Sequence, residues 1–315
     1  MEGVVMDASL IPSIVAATLV AGTPLIIVAS GELVAERAGV LNLGAEGMMA
    51  VGAVAAFAAA HGGASPWSAA LTGMAAGCAM ALLFGCLTLT MQANQVAAGL
   101  ALAIFGVGLS AFFGKSYESA PLTAVPPLRI PVLADVPFVG PALFNQPALV
   151  YVSWALVAGI AWFLDRSRPG LVLRAVGESP SAAHAVGYPV IAIRYAAVAF
   201  GGAMAGLGGA FLSVFYTPLW AEGMVAGRGW IALALVVFAT WRPWRVMLGA
   251  YLFGGVMVSQ LFVQGSGLRI ELPAQWLSAL PYVATIAVLV LISRNRATIR
   301  LNSPASLGQP YRPER

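Results

Sequence analysis

The sequence predicts an all-α fold, a polytopic bundle of transmembrane helices. Of its 315 residues, 60% are hydrophobic and only 9% are charged, whereas soluble domains carry about 25% charged residues. The apolar residues also form continuous runs that approach the ~20 residues a helix needs to cross a bilayer. A transmembrane barrel would instead show alternating segments of about ten residues. We therefore expect a single transmembrane domain over residues 1–315.

The apolar runs give about nine spans, with eight to ten allowed because one run is weak. The candidates are residues 10–30, 45–61, 66–91, 94–114, 147–164, 195–216, 224–241, 246–264 and 279–293. The seventh contains a short apolar stretch, GRGWIALALVVFAT. It is either a tilted span or a re-entrant half-helix, since it falls short of the length that an upright span needs.

The distribution of arginine sets the orientation of the bundle. With nine spans, twelve of the sixteen basic residues lie on the side that holds Arg37, residues 165–194, residues 242–245 and the tail 294–315. Because basic loops stay in the cytoplasm, the N-terminus is predicted outside and the C-terminus inside. Residues 115–146 then form an external, proline-rich connection, predicted to be an ordered irregular cap. The polar tail is predicted to be frayed.

The cytoplasmic segment 165–194 is the longest interior stretch without an apolar span. Within it, Ser179 suits a helix N-cap and Pro180 suits the first helical position. Gly187 suits the residue that follows a helix. This pattern predicts a short helix over residues 180–186 on a basic loop, a geometry suited to docking.

The sequence lacks the residues for catalysis. GKS (114–116) matches the end of a phosphate-binding loop, but the leading glycine of that motif would fall at Leu109. The two histidines, His61 and His184, lie outside the spans, and neither belongs to a metal or Ser/His/Asp set. We predict no catalytic residue, no metal site, no cofactor bound by this chain and no nucleic-acid partner, because membrane topology explains the arginines.

One acidic residue lies within a predicted span. Glu46 begins the second span, close to Asn42. The two could line an aqueous path at a half-broken helix start, since charge in a membrane is costly and usually functional. Alternatively, Glu46 lies at the membrane interface, where the helix dipole favours an acid. We find no series of acids or histidines through the bundle, which argues against an ion-coupled pump.

Other polar residues lie at the ends of spans. Asn94 and Gln95 begin the fourth span, where they either cap a helix or belong to the solute path. Glu222 and Arg228 flank the weak seventh segment on the outer side. They either pair with each other or rim the mouth of a path.

Small residues are frequent within the spans. Gly73 with Gly77, and Gly202 with Gly206, fit the spacing that lets helix backbones approach closely. The stretch 201–211, GGAMAGLGGAF, is dense enough in glycine that a flexible or broken segment is an alternative.

Four stretches together resemble the permease subunits of ATP-binding-cassette (ABC) importers for branched-chain amino acids, ribose and nucleosides. They are GELVAERAGVLNLGAEGMMAVGA (31–53), NQVAAGLALAIFGVGLSAFFGK (94–115), GLVLRAVGESPSAAHAVGYPVIAIRYAAVAFGGAMAGLGGAFLSV (170–214) and GMVAGRGWIALALVVFA (223–239). Within that group, ERAGVLNLGAEGMM and GMVAGRGWIALA look most like the nucleoside branch, whose binding protein is a basic-membrane-protein-type lipoprotein.

The resemblance implies a function, a set of partners and a coupling site. The chain would be a multi-pass protein of the bacterial inner membrane, working with a second permease, ABC ATPase subunits that use ATP and an external substrate-binding lipoprotein. The family's ATPase-coupling loop falls on Arg174, Ala175, Gly177, Glu178, Ala182, Ala183 and Gly187. The sequence departs from the usual importer loop at Ser181, where that loop has glutamate.

We therefore expect a permease that translocates a small polar solute, a nucleoside in the leading interpretation, by alternating access. Ribose-like sugars and branched-chain amino acids are the alternatives within the family. An ion-coupled secondary transporter and a membrane scaffold or channel are the alternatives from other classes.

Overall fold

The computed structural model describes residues 10–137, 139–265 and 302–312, together with the single residues 283 and 290. Helices dominate this part of the chain, as predicted for a polytopic membrane bundle. Their bounds are α1 Leu10–Arg37, α2 Ala45–His61, α3 Pro66–Gly85, α4 Gln95–Gly114, α5 Val139–Leu143, α6 Ala148–Arg166, α7 Arg168–Glu178, α8 Pro180–Ala185, α9 Val190–Ala210, α10 Arg228–Phe238 and α11 Pro243–Gly265. Two π-helical turns, Cys86–Thr90 and Phe211–Tyr216, prolong α3 and α9.

Eight of the nine predicted spans coincide with helices. Within the part of the chain that the structure describes, five stretches are long and apolar enough to cross a membrane: Ile11–Arg37, Pro66–Thr90, Gln95–Tyr117, Ala148–Arg166 and Val190–Tyr216. The first extends seven residues beyond the predicted end at residue 30, so the prediction for that boundary is wrong. The ninth predicted span, 279–293, falls outside the described residues apart from positions 283 and 290.

The centre of the bundle is the close crossing of α2, α3 and α9. A Cβ atom on Gly206 of α9 would lie 2.1 Å from the carbonyl oxygen of Gly73, and one on Gly77 of α3 would lie 2.2 Å from that of Gly202. The two predicted glycine pairs therefore pack against each other, and only glycine permits this approach. Helix α9 is continuous to Ala210, so the stretch 201–210 is not broken.

Helix α10 is too short to span a bilayer. Its 11 residues rise about 16 Å, roughly half of the ~30 Å hydrocarbon core. Residues 217–227 before it contain no helix. The re-entrant half-helix is therefore the better of the two predicted forms.

One end of the bundle is closed by the proline-rich connection 115–146. Strands Leu128–Arg129 (β1) and Asn145–Gln146 (β2) pair antiparallel within it. Leu122 donates its N–H to the carbonyl of Pro218, 2.9 Å away. The connection is thus an ordered irregular cap that also holds the segment before α10.

The opposite end gathers the segments that the arginine count placed together. Arg37 donates hydrogen bonds to the carbonyls of Trp241, at 2.8 Å, and Asn302, at 3.0 Å. A Cβ on Gly177 would lie 2.1 Å from the carbonyl of Arg37. The grouping of these segments is confirmed, whereas their cytoplasmic side stays a prediction. Residues 302–312 pack here, so the expectation of a frayed tail is wrong for them.

Candidate functional site

The segment 165–194 folds as two short helices after α6. The predicted helix over 180–186 is confirmed as α8, Pro180–Ala185. Ser179 caps it by accepting the N–H of Ala182 at 3.3 Å. Gly187 ends it with a φ of +94°, a value that a side chain strains.

Helix α7 was not predicted. The Ser167 hydroxyl accepts the N–H of Gly170 at 3.0 Å, and Pro169 lies in the first turn. This serine–proline start is the same signal that identified α8, and it identifies α7 as well when applied to Ser167.

Three of the predicted coupling residues line a cavity beside α7. Arg174, Ala175 and Glu178 face a space of about 640 Å³ that Arg37 and Trp241 also border. The Arg174 guanidinium lies 3.8 Å from the carboxyl of Asp165 at the end of α6. The cavity is bordered by α7, by Arg37 at the end of α1 and by Trp241 after α10.

The other four predicted coupling residues divide between buried and exposed positions. Gly177 is buried against the end of α1, and Ala183 is buried in a small cluster with Val176 and Val190. Ala182 and Gly187 are exposed. Because Gly177 and Ala183 are buried, they are suited to holding the segment together. Because Ala182 and Gly187 are exposed, they are available to a partner. The assignment of all seven residues to coupling stays a prediction.

The exposed face of this segment is partly apolar. Val186, directly after α8, has 77% of its surface exposed, and Tyr188 is also exposed. Exposed large apolar side chains clustered on a polar segment are typical of a site that binds another protein.

In the interior, Glu46 joins two helices. It lies in the first turn of α2, but its carboxyl oxygens accept the N–H groups of Gly227, at 2.8 Å, and Gly229, at 2.7 Å. These groups begin α10, whose N–H groups have no partner within the helix. Glu46 therefore caps another helix, which neither of its two predicted roles included.

Glu46 also faces a small cavity. It borders a space of about 140 Å³ together with Ser110 of α4 and Met224 of the segment before α10. This space is smaller than the roughly 300–1,000 Å³ of typical small-molecule pockets.

Asn42 and Gln95 are buried and make structural hydrogen bonds. Asn42 accepts the N–H of Gly44 at 2.9 Å and donates to Glu32 at 3.1 Å. Gln95 accepts the N–H of Leu41 at 2.8 Å. Both residues hold the turn between α1 and α2, and neither borders the cavity at Glu46.

Asn94 and Glu222 lie at exposed positions. The Asn94 side chain accepts the N–H of Ala97 at 3.0 Å, which confirms the helix-cap alternative. Glu222 lies in the turn before α10. Arg228 donates instead to the carbonyls of Met224 and Val225, and within the described residues it makes no ion pair with Glu222.

Two buried acids on α1 were missed. Glu32 is fully buried, and Glu36 is 1% exposed and accepts the indole N–H of Trp241 at 2.6 Å. They lie one helical turn apart, a spacing that marks one face of α1. The prediction ended the first span at residue 30 and so assigned both acids to a loop. The expectation that no series of acids or histidines runs through the bundle stays a prediction, since these two acids occupy one turn at the end of α1.

Within the described residues, no group of three His, Cys, Asp or Glu side chains could hold a metal ion. The GKS stretch lies where α4 ends and a 3₁₀ turn, Lys115–Tyr117, begins. It therefore follows a helix, not the strand that precedes a phosphate-binding loop.

Comparison with known proteins places these features in a family. Residues 14–289 match the family model described as the branched-chain amino acid transport system permease component. TsgC13 of Haloferax volcanii, whose name assigns it provisionally to glucose ABC transport as a permease, is 41% identical over 95% of this chain and 97% of its own.

Two further relatives carry nucleoside names. The guanosine ABC transporter permease protein NupQ of Bacillus subtilis is 34% identical over 95% of this chain and 96% of its own. The nucleoside ABC transporter permease protein NupC of Lactococcus lactis is 33% identical over 88% and 91%. The chain belongs to the ABC transporter permease family of the branched-chain amino acid transport type.

Proposed function

We propose that this permease translocates a nucleoside into a bacterial cell across the inner membrane, driven by ATPase subunits that dock on α8. The nucleoside assignment rests on two relatives named for nucleoside transport that align with nearly the whole chain. The motif ERAGVLNLGAEGMM (36–49) supports the same branch. A second permease and an external binding lipoprotein complete the proposed assembly.

The docking part of the proposal rests on the exposed face around α8. A short capped helix that presents Ala182 and Val186 fits a groove on a partner protein. Because α9 begins at Val190, only four residues separate the two helices. Displacement of α8 therefore acts directly on the start of α9.

A path from α8 to the interior follows from the packing. Helix α9 crosses α2 and α3 at Gly206, where backbones touch without intervening side chains. Such a crossing transmits displacement because the interface is close-packed. Helix α2 in turn carries Glu46, which holds the start of α10. ATPase binding then opens or closes the space at Glu46, provided that its binding energy differs between the two states.

The solute path is proposed to pass this Glu46 junction. Glu46 and Ser110 line the cavity, and carboxyl and hydroxyl side chains can form hydrogen bonds with hydroxyl groups such as those of a ribose. The cavity measures only about 140 Å³ in this structure. Alternating access requires a second state in which it is larger and open to one side.

The experiment is uptake by the complete transporter in proteoliposomes that contain its binding protein. Labelled guanosine is expected to accumulate in the liposomes only when ATP is present on the side of the membrane that carries the ATPase subunits. Unlabelled nucleosides are expected to compete with guanosine for uptake. Competition by glucose but not by nucleosides would overturn the substrate assignment. The sugar alternative is the second candidate, because the 41% identical relative is named for glucose.

A protonophore added to the same liposomes tests the ion-coupled alternative. The proposal expects uptake to continue, since ATP supplies the energy. This test is needed because Glu32 and Glu36 are buried acids of the kind that an ion-coupled transporter uses. Uptake that collapses with the proton gradient while ATP is present would contradict an ATP-driven mechanism.

A further inference from the structure

Residues 304–311, which we name the tail clamp, fold back on the end of α7. The backbone N–H and the hydroxyl of Ser306 both donate to the carbonyl of Gly177, at 3.0 and 2.6 Å. The N–H of Ala305 donates to the carboxyl of Glu178 at 3.0 Å. The tail clamp therefore satisfies groups at the C-terminal end of α7, where carbonyls have no partner within the helix.

Arg194 joins the tail clamp to two membrane helices. It is the fifth residue of α9 and is 1% exposed. Its guanidinium donates to the carbonyl of Ala38 after α1, to the carbonyl of Gln309 and to the hydroxyl of Ser306, at 3.1, 3.3 and 3.0 Å. A buried guanidinium is costly unless its donors are paired. Two of these three partners belong to the tail clamp.

Tyr311 brings the tail clamp to α8. Its ring lies 5.9 Å from the guanidinium carbon of Arg194 and 6.2 Å from the ring of His184 on α8. It packs against the buried cluster that contains Ala183 and Val190. The tail clamp thus contacts α7, α8 and the start of α9, and through Arg194 it reaches the end of α1.

We propose that the tail clamp positions α7 and α8 on α9, so that a force applied to α8 moves α9 and does not simply bend the loop. The inference rests on the proposed role of α8 as the ATPase-docking helix. It identifies Ser306 and Tyr311 as positioning residues, which act through the helices they hold. Neither was included among the residues predicted for coupling.

The first test measures hydrogen exchange in the purified chain, without an ATPase. The clamp variant is Ser306→Ala with Tyr311→Ala, and Arg194 is kept. Losing the two hydrogen bonds of the Ser306 hydroxyl and the contacts of the Tyr311 ring is expected to accelerate exchange in α8 about tenfold. Amides in the glycine crossing of α9, 201–210, are expected to exchange at the wild-type rate. Unchanged exchange in α8 would overturn the positioning role.

Gln309→Ala is the matched control. The Gln309 side chain is exposed and donates to Ala305 at 3.3 Å, whereas Arg194 binds only its main-chain carbonyl. Alanine keeps that carbonyl, so wild-type exchange is expected in α8. Acceleration equal to that of the clamp variant would show that any change in the tail loosens α8, which contradicts specific contacts by Ser306 and Tyr311.

The second test uses the complete transporter and compares ATP hydrolysis with uptake. The clamp variant is expected to hydrolyse ATP within about twofold of wild type, while solute taken up per ATP falls about tenfold, in proportion to the loosening of α8. Wild-type uptake per ATP, despite fast exchange in α8, would overturn the inference. If the ATPase does not bind α8 of the wild-type protein, while α8 of the clamp variant still exchanges fast, then the proposed function is wrong and the positioning role is retained.

Discussion

Helices α8 and α10 both begin at a capped N-terminus, but the caps come from different distances along the chain. Ser179 caps α8 from the position next to it and accepts an N–H three residues on. Glu46 caps α10 from another helix, 181 and 183 residues away from the groups it binds. One cap lies at the surface and the other is buried in the bundle.

The difference separates the two tasks of the molecule. A local cap makes α8 a unit that forms within its own segment, suited to binding a partner. A tertiary cap makes the start of α10 depend on the position of α2, so the interior can change only when these helices move together. Changes at the two caps should therefore affect different properties of the protein, and they should do so with different magnitudes.

The largest effect is expected for Glu46→Ala. This change leaves the N–H groups of Gly227 and Gly229 without their acceptor at a site where Glu46 is only 7% exposed. We expect a loss of about 3 kcal/mol in the free energy of unfolding. Thermal unfolding in detergent measures it, with Glu46→Gln expected to recover part of the loss because one acceptor oxygen remains. The control is Glu222→Ala, which removes an exposed acid and should unfold at the wild-type temperature. Unfolding of Glu46→Ala at the wild-type temperature would contradict the importance of the tertiary cap.

Gly187→Val tests the end of α8. A Cβ at this position meets nothing within 4 Å, so the only cost is the φ of +94°, about 1–2 kcal/mol for a branched residue. The protein is expected to reach the membrane at the wild-type level while ATP-dependent uptake falls severalfold. Gly187→Asn, which tolerates this backbone region, should retain most uptake. Full uptake by the valine variant would count against α8 as the coupling helix.

Ser179→Ala tests the local cap of α8. Loss of an N-cap serine costs about 1 kcal/mol, which corresponds to exchange roughly fivefold faster in α8 and no change in the temperature of global unfolding. Ser181→Ala is the control, because the Ser181 hydroxyl lies 3.4 Å from that of Ser179 and caps no helix. Equal exchange in the two variants would argue that α8 does not depend on its cap.

Asn94→Ala should have the smallest effect. Its side chain caps α4 at an exposed position, so we expect a loss of about 0.5–1 kcal/mol and an unchanged KM for uptake. A large rise in KM, measured with the wild-type binding protein, would return Asn94 to the solute path.

The same distinction between local and tertiary contacts explains what could be predicted from the sequence. The helix over 180–186, the cap at Asn94 and the glycine pairs of α3 and α9 all depend on residues a few positions apart, and all were identified. The burial of Glu32 and Glu36 depends on Asn42 and Trp241, which are 10 and 205 residues away from them. Short-range patterns therefore indicated a polar loop where the chain continues as helix.

The tail was misjudged for a related reason. Residues 302–312 carry no apolar run, and their order comes from Gly177 and Arg194, which lie more than 100 residues earlier. Glu46 was singled out because an acid within an apolar span is conspicuous. Its partners could not be identified, since backbone N–H groups have no signature in the sequence.

The central claim, that ATPase subunits act on this permease through α8, is tested most directly by photo-crosslinking in the assembled transporter. A photoreactive side chain is placed at Val186, which is 77% exposed beside α8, and in a separate variant at Val132, which is 80% exposed in the proline-rich cap at the other end. We predict that the ATPase is crosslinked from position 186 and not from position 132. Crosslinking from position 132 alone, or from both positions equally, would contradict the account.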